Sequence, residues 1–238
     1  MSSSSASRRR AALLCLTTVV SVSGLSTPSV LDRVGYRNKL LSLLGPSDGV
    51  VPINGELTEL VQELERVGGM VPATPAFLAL GLQGRWTLRA IGAPDVHEMP
   101  HVSFISVGAT EQEFDLDAST PSGGMCGQLR SSCEFAVDET AEPLAGRLQT
   151  EADVYLTTHA DTLHLMLARQ AVVLPRLPRE PVESVLGALH AQLSAEFRTD
   201  EGMRVSLQTM YLDEALHISR CTTRGLAGLC AIFVRPQD

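Results

Sequence analysis

The sequence predicts a mainly β protein: an antiparallel β-barrel with N-terminal helices and one amphipathic helix inserted before the last strands. Three observations carry that expectation. Short runs of alternating apolar and polar residues recur from Gly84 to Val234, the period of half-buried strands. Two segments between Val30 and Val67 instead repeat apolar residues at three and four. Gly, Pro and Asp punctuate the alternating runs, and several meandering strands with one apolar face close most naturally into a barrel, because closure removes exposed edges.

The chain divides into residues 1–29, 30–70 and 71–238. The first part, MSSSSASRRRAALLCLTTVVSVSGLSTPS, is Ser-rich, then basic, then apolar from Ala11 to about Val22, and meets no acid before Asp32. Its apolar run is short of the roughly 20 residues that span a bilayer as a helix, so a cleaved targeting leader is expected. It reads equally as a secretory signal or as an organelle transit sequence, and a plastid enclosed by extra membranes would need both in series.

In residues 30–70, VLDRVGYRNKLLSLL places Val30, Leu31, Val34, Leu40, Leu41 and Leu44 near helical spacing before Gly45 and Pro46. Asn54 then precedes GELTELVQELERV, whose Leu57, Leu60, Val61 and Leu64 form a stripe. Glu56, Glu59, Glu63 and Glu65 are expected opposite that stripe, facing water.

From Gly84 the period changes. GRWTLRAI, HVSFISV and TEQEFDLD are short runs, and RLQTEADVYLTT is the clearest strand, with Leu148, Thr150, Ala152, Val154 and Leu156 on one face. DTLHLMLARQAVVL follows with Leu163, Leu165 and Leu167, leaving Thr158 to Asp161 as a hairpin turn. The stretch EPVESVLGALHAQLSAEF interrupts the strands as a helix with Pro181 in its first turn, packed under the barrel or laid across its mouth. GMRVSLQTMYL and CAIFVRP supply the last strands, and the intervening Asp213 and Glu214 mark a tight turn. Adjacent residues on extended chain point to opposite sides, so this acidic pair cannot act as a glycosidase dyad. About eight or nine strands result, enough for an interior that holds one small apolar ligand.

Composition excludes other functions. The formal charge is −8 although the leader itself is basic, and aromatic content is 4%, so the body of the chain would repel phosphate and offers few platforms for bases. Nucleic acid and strongly anionic membranes are therefore not expected partners. No G-x-S-x-G elbow is present, and the six histidines are scattered, with Pro100 between His97 and His101 preventing a helical metal pair. No catalytic residue, metal or cofactor is expected. Outside the leader, Cys126, Cys133, Cys221 and Cys230 form no C-x-x-C motif. Buried free thiols, or a disulfide joining Cys126 to Cys133 or Cys221 to Cys230, fit that spacing.

Gly84-Arg85-Trp86 opens the first of these strands with the single tryptophan. A G-x-W there is similar to the first lipocalin signature, in which the indole plugs the closed end under an arginine from the last strands. Arg220 is the expected arginine, reaching Trp86 or Asp213. Tyr211-Leu212-Asp213-Glu214, Leu216, Ile218-Ser219-Arg220 and Ile232-Phe233-Val234 resemble the closing motif of the plastid lipid-associated proteins, or plastid fibrillins. KLLSLL, INGELTELVQELE and LQGRWTLRAI fall in that family's order, so the resemblance runs from Leu40 to Val234 and is weakest in the middle. His217 departs from the family's arginine, Cys221 from its glycine, and CTTRGLAGLC from its short hairpin, so a remodelled last turn is expected. Protonated His217 would partly replace the lost arginine.

The resemblance implies a lipocalin-like protein that binds lipids, carotenoids or quinones and associates with plastid lipid bodies or thylakoid membranes. Val154, Leu156, Leu163, Leu165, Val205 and Leu207 would line its cavity, or else fill a solid core, while Trp86, Tyr211, Asp213 and Arg220 would close its base. A structural protein that coats lipid bodies or attaches to a photosynthetic complex is the alternative. A lipocalin-type enzyme, which would need an acid or histidine inside the cavity, is a third.

Overall fold

The computed structural model describes residues 30–45, 49–67, 74–92, 105–117, 124–137, 144–156, 161–175, 204–223 and 226–236. The leader, the inserted helix expected over residues 181–197, and His97, His101, His159 and His190 lie outside the described residues. The described elements, in order, are α1 (Val30–Leu44), β1 (Val51–Pro52), α2 (Gly55–Val67), α3 (Pro75–Leu82), β2 (Gly84–Gly92), β3 (Ile105–Asp117), β4 (Met125–Val137), β5 (Leu144–Leu156), β6 (Thr162–Val173), β7 (Arg204–Leu212), β8 (Leu216–Cys221) and β9 (Cys230–Val234). The protein is mainly β.

Strands β2 to β9 pair antiparallel in sequence order, and β9 pairs back onto β2, giving a ring of hydrogen-bonded strands. The short β1 runs parallel to β2 through Val51 opposite Ala90. A bulge between Leu88 and Ala90 shifts the β2–β9 register. Leu88 consequently packs in the interior, while Ala90 packs with the helices outside.

The ring has a layer on each side of its closing strands. Leu40 and Leu44 of α1 and Leu57, Leu60, Val61 and Leu64 of α2 are buried against Tyr211, Leu216, Ile218, Cys230 and Ile232. The stripe on α2 thus lies where its spacing places it. The stripe on α1 is covered only towards its C-terminus: Leu31 is 81% exposed and Val34 43%. Arg89 of β2 ties that end down by donating to the carbonyls of Leu44 (3.1 Å) and Gly45 (2.7 Å), which the helix itself leaves without partners.

Several expectations change. Ile105–Val107 of HVSFISV and the run TEQEFDLD belong to one strand, because β3 continues through a bulge between Val107 and Thr110; residues 101–104 lie outside the described residues. β4 has no clean alternation, since Gly127, Ser131 and Cys133 fall on the same face as Leu129; its pairing on both sides makes it a strand. α3 also escapes periodicity because its sequence, PAFLALGL, is apolar all round. Its caps are legible afterwards: Thr74 Oγ1 accepts from Phe77 N at 3.5 Å, Pro75 opens the helix, and Gly84, at φ +93°, lets the chain turn directly into β2.

Cys126 and Cys133 carry free thiols but are exposed and half-buried rather than buried, whereas the free Cys221 is buried. Cys126 and Cys133 lie seven residues apart on one strand, a rise of roughly 23 Å, which no disulfide spans. Cys221 follows the inner-face Ser219 at a spacing of two, whereas Cys230 belongs to the helix-side core, so the ladder backbone separates them.

Leu64 is fully buried where α2 meets the strands, so Leu64→Ala should cost about 2 to 5 kcal/mol in urea denaturation. Leu31→Ala, on the exposed end of α1, should change stability by no more than about 0.5 kcal/mol.

Candidate functional site

The six apolar residues assigned to a cavity do converge. Val154, Leu156, Leu163 and Leu165 are buried in one cluster with Leu78 and Leu82 of α3, Trp86, Phe114 and Phe233, and the partly buried Val205 and Leu207 pack against it. Together they form a packed floor at the end of the ring that α3 plugs. A cleft of about 590 Å³ lies elsewhere, bordered by Glu134, Ala136, Arg147, Gln149 and Val173. Those side chains alternate with Cys133, Leu148 and Val172, and Glu134 pairs with Arg147 at 3.1 Å, which puts this cleft on the outer face of β4–β6.

Trp86 is fully buried at the floor and donates its indole N–H to Leu82 O at 2.7 Å. The cation over its ring is Arg235, whose guanidinium carbon is 4.2 Å from the centroid. Arg235 also donates to Gly81 O (2.7 Å), Gln83 O (2.8 Å) and Glu214 O (2.9 Å), so one side chain holds α3, the β7–β8 turn and the indole together. Burial lowers its pKa, and the three carbonyls take up its N–H groups in compensation.

Arg220, expected in that position, points the other way. It sits on β8 one residue beyond Ser219 and pairs with Glu65 of α2 at 2.7 Å and 3.1 Å. The two side chains are 17% and 15% exposed, so Glu65 is not the water-facing acid that its place on α2 suggested. The alternation of the strand decides this. His217 and Ser219 take the inner face, leaving Ile218 and Arg220 to the helices.

Asp213 holds the β7–β8 turn as expected. Its Oδ1 accepts from Ala215 N and Leu216 N, both at 2.8 Å, and its Oδ2 accepts from the Tyr211 hydroxyl at 2.8 Å. Burial, then the bond to Asp213, raises the Tyr211 pKa, which keeps the phenol protonated as a donor. The cation beside Asp213 is Arg37 of α1, whose Nε approaches Oδ2 at 2.8 Å as an ion pair without hydrogen-bond direction. Glu214 is exposed and meets Arg37 at 3.3 Å.

Beyond the floor the interior changes character. Phe114, Leu129, Ala152 and Leu167 face one another across four strands. One pleat further from the plug, the same strands present Gln112, Ser131, Thr150 and Gln170. Across the ring, Thr209 lies opposite Ser219, and His217 contacts Thr209 at 3.5 Å. The imidazole stacks on Phe233 (5.6 Å) and meets Trp86 edge-on (5.7 Å). Burial pushes the His217 pKa down to about 3, so it is neutral and does not replace an arginine's charge. Gln112 Oε1, His217 Nδ1 and Ser219 Oγ are buried without hydrogen-bond partners among the described residues.

Comparison with protein-family models finds no match to the chain, and comparison with curated proteins finds none either. Among the described residues no group of three or more His, Cys, Asp or Glu is placed to hold a metal.

Sequence reasoning missed Arg235, although its position immediately after the last apolar strand was a usable signal, and it gave His217 the charge of a lost arginine rather than the role of a neutral interior group. Arg235→Ala should red-shift Trp86 emission and lower stability by about 1 to 3 kcal/mol, whereas Arg220→Ala should leave the emission unchanged. His217 also imposes an acid limit. Its pKa is about 3 in the folded chain against roughly 6.5 unfolded, so the unfolded state takes up the proton first. Stability is full above pH 6.5 and declines as pH falls towards 3. Between pH 7 and pH 5 the wild type should lose about 2 kcal/mol more than His217→Phe in urea denaturation.

Proposed function

We propose that the protein is a plastid lipid-associated protein of the fibrillin type, with a lipocalin-like barrel that carries a lipid, carotenoid or quinone. The observation that carries this reading is the interior of the strand ring. Its floor is apolar and packed, while Val205 and Leu207 at the edge of the floor and Leu148 and Leu167 on the inner face beyond it remain partly exposed. An apolar guest that covers them gains about 25 cal/mol per Å² of surface removed from water, with no catalytic group required. The basic and apolar leader fits delivery to a plastid followed by cleavage, and thylakoid surfaces or lipid bodies are then the membranes within reach.

A specific observation favours the second reading, a structural protein that coats lipid bodies or joins a photosynthetic complex. α3 buries Leu78, Ala79 and Leu82 but leaves Phe77 65% and Leu80 74% exposed on its other side. An uncharged helix with an apolar outer face suits a lipid surface of low charge. An enzymatic reading draws on the interior His217. Its pKa is moved by burial alone, with no orienting carboxylate contributing, so that reading stands behind the other two.

Protein purified natively from its source and extracted for mass spectrometry should release one apolar compound near one per chain. A clean extract, together with flotation on lipid droplets that Phe77→Ser and Leu80→Ser abolish, would favour the coat over the carrier.

A further inference from the structure

We infer that the interior of the ring contains a hydrogen-bonding site for the uncharged hydroxyl group of an otherwise apolar ligand, formed by His217, Ser219 and Thr209 on one wall and Gln112 on the other. This deepens the carrier reading and rests on it, because it says which end of the guest goes where.

Placement comes first. Thr209 and Ser219 are directly opposite on neighbouring strands, and His217 is two residues before Ser219 on the same inner face. His217 touches Trp86, and Gln112 is the cross-strand partner of Trp86 on β3. His217 and Gln112 therefore flank the indole, and Ser219 and Thr209 continue from His217 along the same inner face. His217, Ser219 and Thr209 are each 1% exposed, so bulk water does not serve them.

The chemistry follows from which atoms lack partners. A buried polar group without a hydrogen bond is unfavourable, and among the described residues three such atoms lie on this inner face: Gln112 Oε1 on β3, and His217 Nδ1 and Ser219 Oγ on β8. An amide oxygen only accepts, a serine hydroxyl does both, and an imidazole nitrogen does either according to its tautomer. A hydroxyl group both donates and accepts, and so matches whichever of these atoms it meets. A ketone or ester carbonyl leaves the Gln112 oxygen unserved. A carboxylate or phosphate is disfavoured, since none of these four side chains supplies a positive charge and the surroundings are apolar. The apolar remainder of the ligand would extend along Val205, Leu207 and Leu148 towards the end of the ring opposite α3.

The test uses the full described chain after its leader and three probes of equal length: 1-decanol, decane and decanoate. Binding is read from the emission of Trp86, which lies 5.7 Å from His217. The alcohol should bind at least tenfold more tightly than the alkane and the acid. Ser219→Ala, which removes a single oxygen, should lose several-fold of that preference. His217→Phe, which preserves an aromatic ring between Trp86 and Phe233, should lose most of it, with decane binding maintained. Equal affinities for alcohol and alkane, or a preference untouched by both substitutions, would mean that the polar atoms hold interior water only and would overturn the site while leaving a carrier. Failure of all three probes to bind, with nothing apolar in the native extract, would overturn the carrier reading itself.

Discussion

The pairing of the five-residue β9 with β2 is the constraint on which the rest of the protein depends. Both edges of β9 are used, one by β8 and the other by β2, so closure requires the last strand to fit between two partners distant in sequence. Closure also commits both of its faces. Cys230 and Ile232 turn outward to the helices, and Ala231 and Phe233 turn inward to the floor. Arg235, the next residue but one after Phe233, then reaches the plug. A single short strand thus joins the ladder, the helical layer and the floor. Weakening any one of them exposes the other two.

The two ends of the ring satisfy their polar groups differently. At the plugged end most of the demand is met: Trp86 has Leu82 O, the carbonyls ending α3 have Arg235, and Asp213 takes three donors from its own turn and Tyr211. One pleat away, the interior retains polar atoms that no group among the described residues serves. An interior evolved only for stability would have apolar side chains at such positions, because an unserved polar atom is worse than none. That contrast, between a base served by Leu82 O, Arg235 and Tyr211 and a less well served belt beside it, distinguishes the interior from the outer cleft.

Legibility in the sequence follows how many environments each segment meets. α2 and β5 each face one core and water, so their periods of 3.6 and 2 survive in the residues and both were readable. β8 is buried on both faces, and HISR was therefore misread. Alternation cannot say which face of such a strand is inner: the outside is covered by α1 and α2, so the apolar Ile218 belongs there and the polar His217 and Ser219 turn inward. The same arrangement sends Arg220 to Glu65 and leaves Trp86 to Arg235. α3 was invisible for the opposite reason, since a helix apolar on every side carries no period at all. The turn at Asp213 was readable because its chemistry is local: an acid two and three residues before the N–H groups that it accepts needs no knowledge of the fold.

Charge at the closed end is arranged to stay outside the interior. Arg37 meets Asp213 from α1, Arg220 meets Glu65 on the helical side, and Arg235 lies over Trp86 with its N–H groups turned to carbonyls. The interior position between Trp86 and Phe233 is given to histidine, the one basic side chain that can discard its charge near neutral pH. A lysine or arginine there would have to remain charged against burial, or draw in water and a counter-ion. Histidine retains two hydrogen-bonding nitrogens in a neutral ring, at the expense of acid tolerance. Stability in acid and polarity inside the ring are therefore linked through one residue, and a substitution that improves the first removes part of the second.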